Sequence, residues 1–264
     1  MQRYFLKESY ESKDYFVLEG ENYHHIVRVM RMEPEDEVFL AFNDQIAIVA
    51  EITEITEEAV YLKEIKKEEN QKELPSSITI ASGYPKGEKL DWIVQKSTEL
   101  GAQAFLGFPA SASVVKWDAK KRMKRQQRLE KIAQEAAEQS HRQIVPSVEL
   151  LETKQDLFER LDDYDVVLVA YEESAKQGEK SNAAKILSET KPDSRILAVF
   201  GPEGGLSRDE VDYFVEHKGI LCGLGPRILR TETAPLYLLS AASYQWELMN
   251  PSYRNSTSLF IKCC

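Results

Sequence analysis

The sequence predicts a two-part α/β protein: a small β-barrel-like domain, then a larger domain whose parallel sheet is covered by helices. Three observations predict it. The first seventy or so residues break into short runs rich in Val, Ile, Phe and Tyr. A charged stretch without apolar periodicity, KKEENQKELPSS (Lys66–Ser77), follows them. Beyond it, apolar runs alternate with helical segments, the grammar of parallel strands under helices.

The early runs are Arg3–Leu6, Tyr15–Leu18, Glu37–Phe42, Gln45–Thr53 and Ala59–Ile65, with Asn43-Asp44 as a hairpin turn signal. One short helix is expected around Asn22–Met32. Many short strands in so small a space suggest a barrel, over residues 1–70, with 71–77 as linker. The second domain, 78–250, offers strands at Ile78–Ala81, Ala104–Phe108, Val166–Ala170, Ile196–Phe200 and Ile220–Leu224. Helix Glu88–Leu100 sets Leu90, Ile93, Ser97 and Leu100 near one face, and Gly101 supplies its stop. The final helix, Ala234–Met249, is apolar or small around nearly its whole circumference. Such a helix is buried in a core or against another subunit. Residues 251–264 read as a frayed tail.

Bulk properties narrow the class. The 264 residues are 42% hydrophobic and 30% charged, ordinary for a globular chain. No apolar run approaches the ~20 residues of a membrane span, and MQRYFLKESY has no signal-peptide layout. Cys222, Cys263 and Cys264 make no disulfide framework, so a reducing cytoplasm is expected. The net charge of −10 argues against general nucleic-acid stickiness. Its distribution qualifies that: Lys116–Arg142 is predominantly basic, which suits a specific polyanionic partner as well as a solvated helix face. His24 and His25 are neighbours and point apart on a helix, while His141 and His217 are isolated. No metal site is expected.

Two loops carry the candidate chemistry. FGPEGGLSRDEV (Phe200–Val211) joins a strand to a helix, with Ser207 and Glu210 spaced as a capping box. It lacks the Lys-Ser/Thr ending of a phosphate-binding loop. GPRILRTETAP (Gly225–Pro235) follows the next strand, with Thr233 as N-cap and Pro235 in the first turn. In open α/β sheets ligands gather outside the carboxyl ends of strands. Neither loop has a lysine for a triphosphate, and Glu203 would repel one. A neutral or cationic cofactor held by backbone groups fits better.

FGPEGGLSRDE followed by LGPRILRTETA resembles the bacterial small-subunit ribosomal RNA uridine-N3 methyltransferases, the RsmE type within the SPOUT class. Arg3-Tyr4-Phe5, HHIVRVMRM (His24–Met32), PKGEKLDWIVQKSTELGA (Pro85–Ala102), KIAQEAAEQSHRQIVP (Lys131–Pro146) and VAYEE (Val169–Glu173) extend the likeness over most of the chain. The resemblance implies a PUA-like β-barrel joined to a SPOUT α/β domain with a deep trefoil knot, working as a homodimer. It implies that S-adenosylmethionine is held by Gly201, Glu203, Gly204, Leu224, Gly225, Ile228 and Leu229. The implied reaction is methyl transfer to uridine N3 in small-subunit ribosomal RNA or the assembled subunit. Arg230 would stabilise charge developing on the base, and Glu232 would accept the proton. Arg3, Arg28, Arg31 and Arg142 would contact RNA. Two departures stand out. Ala112 sits where the family commonly has arginine, and 126–130 (QQRLE) lacks the family's usual aromatic. Two rivals remain: a ribose 2′-O-methyltransferase on the same fold, and a non-catalytic RNA-binding assembly protein.

Overall fold

The computed structural model describes residues 1–69, 71–171 and 182–249. The tail at 251–264, with Cys263 and Cys264, lies outside the described residues, as do Glu172 and Glu173 of the VAYEE motif. The chain divides into two compact units: Met1–Glu73 with Ala137–Val145, and Leu74–Ala136 with the chain from Pro146 onward.

In the first unit the alternation of apolar and polar residues builds β1 (Gln2–Phe5), β2 (Phe16–Glu19), β3 (Glu37–Ala41), β4 (Ala47–Ile55) and β5 (Ala59–Lys67). Phe16 and Leu18 face inward while Val17 faces out. The strand order is β1-β3-β4-β5-β2. β1 and β3 are parallel and the other pairs antiparallel. Register shifts between Val49 and Ala50, and between Ile52 and Glu54, bend the β4–β5 pair. The expected barrel is therefore a curled sheet, since no ladder joins β1 to β2. Helix α1 (Gly20–His24) runs into a π-helical turn, His25–Val29, that puts Ile26 into the core.

The predicted linker is anchored rather than free. β5 runs through Lys67, and Glu68 and Glu73 hold two of the four arginines expected to touch RNA. Arg3, 1% exposed, donates from Nη2 to Glu68 at 2.7 Å and lies 4.7 Å over the Phe39 ring. Arg142, 2% exposed, donates from Nε to both Glu73 oxygens at 3.0 and 2.8 Å, and Nη2 closes the pair. The Gln143 N–H adds a third donor to Glu73 at 2.8 Å. Both guanidiniums are buried and ion-paired in this fold, not offered to solvent.

The second unit is a six-stranded, wholly parallel sheet in the order β11-β9-β10-β6-β7-β8. Its strands are β6 (Ser77–Gly83), β7 (Ala104–Phe108), β8 (Ser147–Leu150), β9 (Val166–Ala170), β10 (Arg195–Phe200) and β11 (Gly219–Cys222). The central β10 is buried from Ile196 to Phe200, as a strand covered on both faces must be. The covering helices are α2 (Lys89–Glu99), α3 (Ala119–Gln139), α4 (Lys154–Phe158), α5 (Asn182–Glu189), α6 (Arg208–Glu216) and α7 (Ala234–Ser243). Only one face of α7 is buried, through Leu238, Leu239 and Ala242, with Trp246 in the π-helical turn beyond it. Tyr237, Tyr244, Leu248 and Met249 stand exposed.

The basic stripe that begins at Lys116 also divides. Arg122, Arg125 and Arg128 are tied at 2.7 Å to Glu152, the Gly87 carbonyl and Asp91, whereas Lys116, Lys120, Lys121 and Lys124 face solvent. Gln126 accepts the N–H of Leu150 on edge strand β8 at 3.1 Å.

Candidate active site at three strand ends

Strands β9, β10 and β11 are neighbours, and the segments leaving their carboxyl ends enclose a cavity of about 360 Å³. Ala170 and Tyr171 come from β9, the Gly201–Leu206 turn from β10, and Leu224–Leu229 from β11. All seven positions expected to hold cofactor line it: Gly201, Glu203, Gly204, Leu224, Gly225, Ile228 and Leu229. Sequence reasoning missed Tyr171, Arg227 and Thr231, which also line it. Tyr171 had a signal: it is the first residue past a strand beside the glycine loops.

The first loop is compact. The Gly205 N–H donates to the Pro202 carbonyl at 2.8 Å, and Gly205 has φ +72°. A Cβ on Gly201 would meet the Gly205 carbonyl carbon at 2.6 Å and the Leu206 nitrogen at 2.8 Å. One on Gly204 would lie 2.8 Å from the Ala112 methyl. Ala112 therefore packs directly on this loop.

The predicted capping box is present. The Glu210 N–H donates to Ser207 Oγ at 3.3 Å, and Glu210 Oε2 accepts the Ser207 N–H at 2.8 Å. Glu210 Oε1 also accepts the Ser111 N–H at 2.8 Å, so the carboxylate ties two loops together. Burial alone would raise its pKa, but the donors at Ser207 and Ser111 outweigh burial and hold it below the usual carboxylate value. A depressed folded pKa contributes stability above the ordinary value of 4.5 that is lost as pH falls through the folded value. Glu210→Gln is expected to cost about 1–3 kcal/mol at neutral pH. Its denaturation curve should converge on wild type as pH falls; a gap that does not narrow in acid would refute this account.

Thr233 makes no side-chain cap at α7. The Arg230 carbonyl instead accepts the N–H groups of Thr233 and Ala234 at 2.8 and 3.1 Å. The loop's backbone supplies its own turn, and Pro235 sits in the first turn as expected. The Arg230 side chain is exposed, and no ion pair within the described residues claims it. It lies between the cavity-lining Leu229 and Thr231.

Glu203 and Glu232 share a partner that sequence reasoning passed over. Lys89, the first residue of α2, places Nζ 2.9 Å from Glu203 Oε1 and 3.4 Å from Glu232 Oε2. Glu203 also accepts the Lys86 N–H at 3.1 Å. Burial pushes the Glu203 carboxyl up; the Lys89 ammonium and backbone N–H donors outweigh it and hold it low. In the first unit, Arg28 and Arg31 are exposed near the π-helical turn, beside exposed Val29 and Met30.

The comparisons with known proteins agree along the chain. Residues 72–243 match the RNA methyltransferase domain family, and residues 18–65 match the RNA methyltransferase PUA domain. A curated relative, ribosomal RNA small subunit methyltransferase E of Bacillus subtilis (strain 168), is 50% identical over 252 residues, covering 94% of this chain and 98% of its own. A solved structure described as a hypothetical protein superposes with a TM-score of 0.88 at 47% identity, covering 94% of this chain and all of its own. Ribosomal RNA small subunit methyltransferase E from Neisseria gonorrhoeae, solved with S-adenosylmethionine bound, superposes with a TM-score of 0.80 at 26% identity, covering 93% and 98%. A PUA-like sheet, a parallel α/β unit with both glycine loops on one cavity, and half-identity over nearly the full length show that this chain belongs to the ribosomal RNA small subunit methyltransferase E family.

Proposed function

We propose that the chain transfers a methyl group from S-adenosylmethionine to N3 of a uridine in small-subunit ribosomal RNA. The observation that carries this is the convergence of all seven expected cofactor positions on one cavity at adjacent strand ends. The lining fits the cofactor's chemistry. Backbone at Gly201, Gly204 and Gly225 offers hydrogen-bonding groups, and Leu224, Ile228 and Leu229 offer apolar surface. Ile228 is 76% exposed, an apolar side chain with space over it. The lining carries Glu203 and Arg227, opposite charges that suit the sulfonium and the carboxylate of the same cofactor. The bound cofactor supplies a methyl group activated on a sulfonium; this chain supplies position, the larger part of catalysis in a displacement. The names of the Bacillus and Neisseria relatives support a ribosomal RNA substrate, and the cofactor in the Neisseria structure supports the cavity assignment.

Uridine N3 must lose its proton before it can bond to carbon. In this reading Arg230 offsets the charge that spreads to the base oxygens, and Glu232 accepts the proton. Arg28 and Arg31, together with the free lysines of α3, meet RNA phosphates. The exposed aromatic and apolar face of α7 supports a homodimer. The deep trefoil knot belongs to the same proposal, and the return of α7 to pack against β10 and α2 supports it. Such a substrate puts the work in the cytoplasm.

Arg230→Ala is expected to lower the transfer rate about a hundredfold while cofactor affinity by calorimetry stays within twofold; wild-type turnover would remove it from the mechanism. The reaction itself is tested by reverse transcription of small-subunit RNA from cells with and without the gene. N3-methylation removes a pairing donor and stalls the polymerase at one uridine. Absence of a gene-dependent stop, with 2′-O-methyl ribose in its place, would transfer the assignment to ribose. Failure of the folded protein to bind S-adenosylmethionine would favour a non-catalytic role.

A further inference from the structure

Three separate segments meet at Lys89. The helix that it opens supplies the ammonium, the loop after β10 supplies Glu203, and the loop leading into α7 supplies Glu232. Both loops line the cavity, but Lys89 does not. Glu203 is pinned twice from the α2 side, since the Lys86 N–H and Lys89 Nζ both donate to Oε1. Beyond the Lys89 contact, Glu232 Oε2 is buried without a hydrogen-bond partner. Removing the ammonium would leave two carboxylates facing one another at the seam between the loops. Like charges held that close repel, and the loops would part.

We propose that Lys89 is a positioning residue that latches the two cofactor loops together through Glu203 and Glu232, so that closure of the cavity depends on its charge. The inference rests on the cofactor reading of the cavity given above. Lys89 is not among the residues that line the cavity and acts through the loops. Hydrogen bonding to Glu203, the largest influence on its pKa, raises the Lys89 ammonium above its ordinary value, so the latch stays charged across the neutral range. The three side chains are between a quarter and a third exposed, which makes the latch sensitive to salt.

The test is the dissociation constant for S-adenosylmethionine, measured by calorimetry on the full chain. Lys89→Met should weaken binding about five- to tenfold, and Lys89→Arg should restore it to within about twofold. Wild-type binding should weaken with added salt more than Lys89→Met binding does. In a Glu203→Gln background, Lys89→Met should add less than half of its effect. Wild-type affinity in Lys89→Met, or strict additivity with Glu203→Gln, would overturn the latch. If Lys89→Met does not fold, Lys89→Gln and the Glu203→Gln/Glu232→Gln pair pose the same question. Failure of the wild-type protein to bind the cofactor would instead strike the cavity assignment, and the two failures are distinct.

Discussion

Gly201→Ala is expected to abolish cofactor binding, with affinity for S-adenosylmethionine falling at least about a hundredfold and stability by about 2–3 kcal/mol. The methyl group would stand 2.6 Å from the carbonyl carbon of Gly205 and 2.9 Å from its Cα. Those atoms belong to the backbone of the same tight turn and cannot swing aside as a flexible side chain would. To admit the methyl, the turn must open, and Glu203 and Gly204 move with it. Gly205→Ala is the informative control. Nothing lies within 4 Å of its added carbon, but its φ of +72° makes a side chain strained. It should cost about 1–2 kcal/mol and leave most of the affinity. Calorimetry and urea denaturation separate the two variants. Gly201→Ala binding within threefold of wild type would mean that the turn has slack the structure does not show.

Arg142→Ala carries the second large effect, a loss of about 3–5 kcal/mol in stability, because it leaves the Glu73 carboxylate buried without its cation. Glu73 is 7% exposed and Arg142 3% at the side chain. The Gln143 N–H remains as a donor, which offsets little of a full charge. Replacing both partners, as Arg142→Met with Glu73→Leu, should recover most of the loss, since apolar packing substitutes well for a buried pair. Urea denaturation midpoints measure both. A loss below about 1 kcal/mol in Arg142→Ala would mean that the guanidinium is free in solution, and its assignment to RNA would return.

These two residues also mark where the sequence was legible. The glycine loops could be read because their requirements are local. A strand end, glycines in a tight turn and a capping serine constrain one another within a dozen residues; the seven expected cofactor positions follow from the family resemblance, and all of them line the cavity. Arg3 and Arg142 could not be read the same way. An arginine that contacts phosphate and one that pairs inside a core look alike in sequence. What separates them is Glu68 and Glu73, in a charged stretch that reads as a linker. Lys89 was hidden for a similar reason. A lysine opening an amphipathic helix is usually solvated, and its two carboxylates lie more than a hundred residues away in the chain. Strand β8, Ser-Val-Glu-Leu, is too short to declare itself. The π-helical turn at His25–Val29 has no signature beyond a run that fits an ordinary helix.

The first unit borrows Ala137–Val145 from far along the chain, and Arg142 is its contribution to the pair with Glu73. On a ribosome, N-terminal domains commonly fold before later ones emerge. Here that order is interrupted. The sheet's own strands end at Lys67, but the first unit is not complete until residue 145 has left the exit tunnel, when β6 and β7 are already out. Its assembly is therefore interleaved with that of the catalytic unit, and a nascent chain arrested at residue 73 would carry an unneutralised Glu73 where the finished molecule has an ion pair.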